Sequence, residues 1–223
     1  MYTIHNVEQK SVEWMRLRLG RFTASEVGKL LQTGKNAPFS LTAINYINQV
    51  AAERTIDTEF FETQEEWEEL FKELNGPQSY AMKRGSETEA FARQYYIYET
   101  GRQVKEIGFI SIGDNVGDSP DGVIYGKGKH PYRAVEFKCP TLKVHYEHCK
   151  LRTGEDLKKY NPIYYAQCQM HCRATRARSC DWVSFDYRAK KKMHIINIKR
   201  DDAYIRHLNE RIKEAEEFIK NNN

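Results

Sequence analysis

No run of apolar residues in this chain approaches the ~20 needed to span a bilayer. The N-terminal stretch MYTIHNVEQK has no basic segment leading into an apolar one. Neither a membrane span nor a secretory leader is expected, and the chain reads as soluble and cytoplasmic. Cys-x-x-Cys pairs are also missing. The five cysteines, at 139, 149, 168, 172 and 180, leave an odd count, which suits reduced thiols better than a disulfide framework. Cys168 and Cys172 lie one helical turn apart with His171 between them, but no second ligand pair has matching spacing. They read as small buried side chains on a helix rather than as a zinc site. Repeats, linkers and low-complexity runs are lacking too, apart from the tail Asn221–Asn223. Over 223 residues this argues for one domain, 1–223, long enough for a full core. A hydrophobic content of 40% with 14 Tyr and 10 Phe fits a folded globule.

The charge is uneven. Between Asp57 and Glu73 eight acids (57, 59, 62, 65, 66, 68, 69 and 73) face one base, Lys72, although the net charge of the chain is +4. The rest of the chain is therefore basic, which is compatible with a polyanionic partner. Trp67, Leu70 and Phe71 give the acidic 57–73 segment an apolar stripe. Without accompanying basic or hydroxyl groups it reads as a solvated helix or an inserted partner-binding segment.

Along the chain, 12–20 has the pattern of a short amphipathic helix ended by Gly20. Thr23 and Glu26 have the spacing of a capping box opening a helix through Leu31. A helix start of that kind offers free N–H groups to a phosphate, and Arg18, Arg21 and Ser25 lie around it. Further helices are expected over 41–54, 79–98, 141–152 and from Pro162 to about Arg173. On the last of these Tyr164, Gln167 and His171 share one face, either aimed into a site or forming the polar edge of a half-buried helix. Segments 181–187 and 193–198 alternate like paired strands around the basic tip 188–192. Asp201 caps a final helix whose Ile205, Leu208, Ile212, Ala215 and Ile219 form a core stripe.

The most informative stretch is 119–140. Ser119-Pro120-Asp121-Gly122 is a turn feeding a short apolar strand, and Ala134 to Lys138 is a strand stopped at Pro140. Extended backbone places Glu136 and Lys138 on one face, with Val135, Phe137 and Cys139 on the other. If the two strands are hairpin neighbours, Asp121 joins the polar face. Two carboxylates then offer hard oxygen ligands to Mg²⁺, with an ammonium beside the attacking water. Glu-x-Lys alone is weak, since Glu8-Gln9-Lys10 has it too. Its combination with a Pro-Asp separated from it by a gap of fourteen residues points to a metal-dependent nuclease.

These stretches resemble the PD-(D/E)xK nucleases, and among them the phage lambda exonuclease and YqaJ-like viral recombinase family. The matching segments are 16–27 (RLRLGRFTASEV), 85–89 (GSETE), 119–122 (SPDG), 136–140 (EFKCP) and 165–169 (YAQCQ). The resemblance implies an α/β, restriction-endonuclease-like fold with a central mixed sheet flanked by helices. It implies a 5′-to-3′ exonuclease that digests one strand of linear double-stranded DNA and leaves 3′ overhangs. It further implies a homotrimeric ring, a single-strand annealing partner protein and, if phage-encoded, action in the cytoplasm of a bacterial host. Carried over, Asp121, Glu136 and the carbonyl of Phe137 would hold Mg²⁺, with Mn²⁺ a possible substitute, and Glu89 would complete a second ion's position. Lys138 would orient or deprotonate the water, and Gln167 would steady the lysine or the water. Arg18, Ser25 and Ser119 would grip the terminal 5′-phosphate, and Met82 would wedge the strands apart. Glu87 competes with Glu89 by composition, and the family spacing from Gly85 favours Glu89. The rival readings are an endonuclease or resolvase with the same metal site, and a catalytically silent DNA-end-binding scaffold.

Overall fold

The computed structural model describes residues 2–76 and 80–222, without the side chains of 80–84 and 86. The expected mixed sheet is present as two four-stranded sheets joined through Ser119–Asp121. The first has the order β1-β3-β4-β2, from β1 (Tyr2–His5), β2 (Phe22–Thr23), β3 (Phe109–Ile112) and β4 (Val116–Asp118). Within it β2 runs parallel to β4 and the other pairs are antiparallel. The second has the order β5-β6-β7-β8, from β5 (Gly122–Tyr125), β6 (Pro131–Lys138), β7 (Ser179–Phe185) and β8 (Met193–Lys199). There β6 and β7 are parallel and the two outer pairs antiparallel.

Parallel neighbours need a crossover. Here it consists of α5 (Leu142–His148), α6 (Gly154–Tyr160) and α7 (Pro162–Thr175). Pro162 occupies the first turn of α7, where Asn161 accepts from the N–H groups of Ile163 and Tyr164; proline has no N–H to lose there. Cys168 and Cys172 of α7 are buried with Cys180, Trp182, Ile196 and Ile198 of the sheet. They are free thiols in a core, as the spacing suggested. On the opposite face Val135 and Phe137 of β6, with Cys139 just after it, pack on Ala92 and Tyr96 of α4 (Tyr80–Thr100). Alternation along β6 therefore divides an apolar face from a functional one. Gly122 begins β5 because a Cβ there would lie 2.2 Å from a methyl of Val104.

A second core lies under α2 (Leu41–Glu53) and α8 (Asp202–Asn222), where Ile47 and Val50 meet Leu208, Ile212, Ala215 and Ile219. Asp201 caps α8 as expected, accepting from Tyr204 N–H at 2.9 Å. The acidic segment forms α3 (Gln64–Asn75), begun by a Thr63–Glu66 capping box. Trp67 and Leu70 anchor it against Met15 of α1 (Val12–Arg18), with most of its acids exposed. No helix of the described residues is long and apolar enough to cross a membrane.

One local expectation fails. Thr23 caps no helix: it pairs with Gly117 of β4, and its N–H is taken by the Tyr46 hydroxyl at 2.9 Å. The N–H groups of Ala24 and Glu26 go to the carbonyls of Gly117 and Thr23. Only a five-residue 3₁₀ helix follows, Val27–Leu31, and Glu26 pairs with Lys29 instead of closing a box. Strand pairing outcompetes the local cap and consumes N–H groups that would have faced a phosphate. Arg21 also turns away, to the carbonyl of Gly113.

Candidate active site

The β5–β6 register pairs Gly122 with Val135. This brings Asp121 to the polar face of β6, where its Oδ2 accepts from the N–H of Phe137 at 2.6 Å. Alternation puts Glu136 and Lys138 side by side, and Lys138 Nζ donates to Glu136 Oε1 at 2.6 Å. Gln167 reaches down from α7 and clamps both. Its Nε2 donates to Glu136 Oε1 at 2.8 Å, and its Oε1 accepts from Lys138 Nζ at 3.0 Å. Tyr164, one helical turn earlier, lies with its ring centroid 4.7 Å from the lysine nitrogen, a cation–π contact. His171, one turn later, donates from Nε2 to Glu136 Oε2 at 2.8 Å. The polar row on α7 thus points into the site.

Glu89 faces the same cluster from α4. It pairs with Arg93 at 3.2 Å, and burial together with the charge of Glu136 raises its pKa above the ordinary carboxylate value. Glu87 is exposed and lines a separate surface groove with Phe91, Tyr95 and Tyr98. Of the two glutamates, Glu89 is the one beside Glu136. Met82 lies on α4, but its side chain is outside the described residues.

The electrostatics divide the carboxyls. Burial, then the neighbouring charges of Glu136 and Glu89, push Asp121 well above its ordinary value. Glu136 is buried as well, yet Lys138 and His171 outweigh that burial and hold it at about 2. Burial opposes the charge on Lys138, but Glu136, Tyr164 and Asp121 raise its pKa above the ordinary lysine value. The side chain is therefore an ammonium, a donor and not a base.

Arg18, Ser25 and Ser119 form a second group. Arg18 Nη2 donates to Ser25 Oγ at 3.0 Å. Trp14, four residues before Arg18 on α1, donates from Nε1 to Ser119 Oγ at 2.7 Å and lies under the Arg18 guanidinium at 5.1 Å. Trp14 connects the three expected residues, two positions before Asp121 in the case of Ser119. The sequence held a signal for it in the i, i+4 spacing of Trp14 and Arg18.

The chain matches the model of the YqaJ-like viral recombinase domain over residues 13–178. The chain belongs to that family. An alkaline exonuclease from Laribacter hongkongensis, LHK-Exo, superimposes with a TM-score of 0.71 at 29% identity, over 94% of this chain and 93% of that one. Its complex with dAMP gives 0.72 at the same identity and coverage. A phage-related exonuclease from Haemophilus somnus 129PT shares the fold, with a TM-score of 0.63 at 16% identity over 92% and 96% of the two chains. No curated protein sequence matches the chain. The fold of this family member is the restriction-endonuclease-like α/β architecture that its motifs imply.

The oxygens of Asp121, Glu136, Glu89 and the Phe137 carbonyl are hard donors. Among the described residues no group of three or more His, Cys, Asp or Glu side chains is placed to hold a metal ion, so a cation here would rely on one or two carboxylates, the backbone carbonyl and water. The donor set fits a Mg²⁺-like cation, which takes one or two carboxylates and keeps several waters. Burial first, and then repulsion from the neighbouring carboxylates, raises Asp121 and Glu89, and a cation would relieve that repulsion.

Proposed function

We propose that this protein is a divalent-metal-dependent 5′-to-3′ exonuclease that digests one strand of linear double-stranded DNA and leaves 3′ overhangs for recombination by strand annealing. Family membership and the alkaline exonuclease neighbours support a nuclease acting in recombination. The observation that carries the chemistry is the convergence of Asp121, Glu136 and Lys138, clamped by Gln167.

Asp121, Glu136, the carbonyl of Phe137 and Glu89 would hold Mg²⁺, or Mn²⁺ in its place, with room in the reading for two ions. When bound, the cations supply Lewis acidity at the scissile phosphate and make water a stronger nucleophile. Lys138, held as an ammonium, orients the attacking water and stabilises charge on the phosphate oxygens. Gln167 fixes the lysine against Glu136 so that this geometry costs nothing during reaction. Arg18, Ser25 and Ser119 receive the terminal 5′-phosphate, with Trp14 fixing the Ser119 hydroxyl and backing the guanidinium. Contacts to phosphate carry most of the affinity, so binding weakens as salt rises. A homotrimeric ring, with the 1–223 chain as one nuclease domain per subunit, and a single-strand annealing partner complete the reading and rest on the family resemblance.

The test is digestion of linear duplexes carrying 5′-phosphate or 5′-hydroxyl, with a closed circle as control, in Mg²⁺ and in EDTA. Release of 5′-mononucleotides from the phosphorylated duplex, with the circle intact, is expected. Nicking of the circle would show an endonuclease instead. No cleavage with either Mg²⁺ or Mn²⁺ would leave a DNA-end-binding scaffold.

A further inference from the structure

The residues assigned so far leave unexplained why the polar row on α7 continues to His171, and why a second buried acid stands behind it. His171 and Asp118 are 0% and 1% exposed. The ring donates from Nε2 to Glu136 Oε2 at 2.8 Å, and its Nδ1 lies 2.8 and 3.0 Å from the two oxygens of Asp118. Asp118 ends β4, three residues before Asp121, so the imidazole ties β4, β6 and α7 at one point. The other oxygen of Glu136 is already held by Lys138 and Gln167. Both carboxylate oxygens of a single glutamate are thus fixed, one from each side.

A requirement for stability alone would not select this arrangement. Buried ionic groups are often no better for stability than apolar residues of similar volume. They do fix one geometry, and partners behind a ligand typically set metal affinity by about 10–100-fold. The proposal deepens the metal-site reading and rests on Glu136 being a ligand. We propose that Asp118 and His171 form a positioning pair that locks the Glu136 carboxylate in its cation-binding orientation and thereby sets the affinity of the site for Mg²⁺ or Mn²⁺. Neither residue touches substrate. Both act through Glu136.

Two substitutions of the histidine separate the roles of its nitrogens. The amide of His171→Gln reaches the place of Nε2 and can keep the bond to Glu136. That of His171→Asn reaches only the place of Nδ1, toward Asp118. Mn²⁺ binding to the full chain without DNA would be measured by calorimetry, and Mg²⁺ dependence by digestion of phosphorylated duplex, with thermal melting as the control. His171→Asn should weaken Mn²⁺ binding and raise half-saturating Mg²⁺ by about tenfold or more, with much of the rate restored at saturating metal. His171→Gln should stay within about threefold of the unaltered protein, on the same reasoning about outer partners. Asp118→Asn, which preserves shape if the histidine variants fold poorly, should shift in the same direction by less. Unchanged Mn²⁺ binding in His171→Asn and Asp118→Asn, with binding lost in Glu136→Gln, would overturn the positioning role and leave the metal site standing. No Mn²⁺ binding by the unaltered protein would overturn both.

Discussion

Acid should destabilise this fold through a buried histidine that has no part in the proposed chemistry, His148. The Lys191 carbonyl accepts from His145 Nε2 at 2.7 Å, so a neutral His145 presents Nδ1 as an acceptor to the Ser184 hydroxyl at 2.8 Å. Ser184 Oγ then accepts from His148 Nδ1–H at 2.9 Å. That leaves His148 Nε2 buried with no hydrogen-bond partner among the described residues, enclosed by the rings of Trp182, Tyr160 and Tyr164. Burial first, then the charges of His145, His194 and Lys138, lower its pKa from 6.5 to about 4. The depressed value means the folded state resists protonation, so its contribution is fully present above 6.5 and is lost as the pH falls toward 4. At pH 4.5 the loss comes to about 2 to 3 kcal/mol by proton linkage. His148→Phe keeps the ring contacts and removes the proton site. Urea unfolding of both proteins at pH 7.5 and 4.5 is the assay, and the difference between them cancels the other titrating groups. The variant should match the parent within about 1 kcal/mol at pH 7.5 and exceed it by about 2 to 3 kcal/mol at pH 4.5. Parallel loss of stability in both proteins would refute the tautomer assignment and the burial argument together.

Three further outcomes follow from the site and its supports. Asp121→Ala should abolish cleavage while retaining most of the affinity for duplex DNA, read by a gel shift beside the digestion assay; retained Mg²⁺-dependent cleavage would remove Asp121 from the site. Arg18→Ala should erase the preference for a 5′-phosphate over a 5′-hydroxyl end while leaving slow digestion of both, whereas an unchanged preference would place the phosphate elsewhere. Trp67→Ala removes a side chain that is 0% exposed and whose indole N–H donates to the Phe61 carbonyl at 3.1 Å. It should cost about 3–5 kcal/mol in urea unfolding, and a loss below about 1 kcal/mol would mean the acidic helix is not docked on α1 as described.

What the sequence made legible was whatever short periodicity could express. Alternation along β6 separated Glu136 and Lys138 from Phe137, and helical spacing put Tyr164, Gln167 and His171 on one face of α7. The stripe of α8 was equally plain. Three features escaped, two of them because they depend on chain partners far away. The Thr23–Glu26 spacing is a valid local cap signal, but pairing of Thr23 with Gly117, more than ninety residues on, decides its backbone. The three residues of β4 are too few to show a period, so nothing marked Asp118 as buried. Trp14 escaped for a related reason. Its partner Ser119 comes near only after the first sheet has brought β4 beside β2.

The remaining question is whether Lys138 contributes charge alone or charge in one place, and its hydrogen bonds answer it. An ammonium has three donors on a compact head. Among the described residues two of these are accounted for by Glu136 Oε1 and Gln167 Oε1, and the Tyr164 ring flanks the head. One N–H is left to aim at water or a phosphate oxygen. Lys138→Arg would keep the positive charge and present a planar, five-donor fork instead. The fork cannot place its nitrogen 2.6 Å from Glu136 and 3.0 Å from Gln167 while pointing a further donor along the same line. Turnover on phosphorylated linear duplex at saturating Mg²⁺ should therefore fall by about 10²–10³-fold, the usual cost of losing one oriented donor. DNA binding, which depends on charge, should hold within a few-fold. An arginine variant that digests within tenfold of the parent rate would show that a positive charge suffices, and the clamp by Gln167 would then have no catalytic meaning.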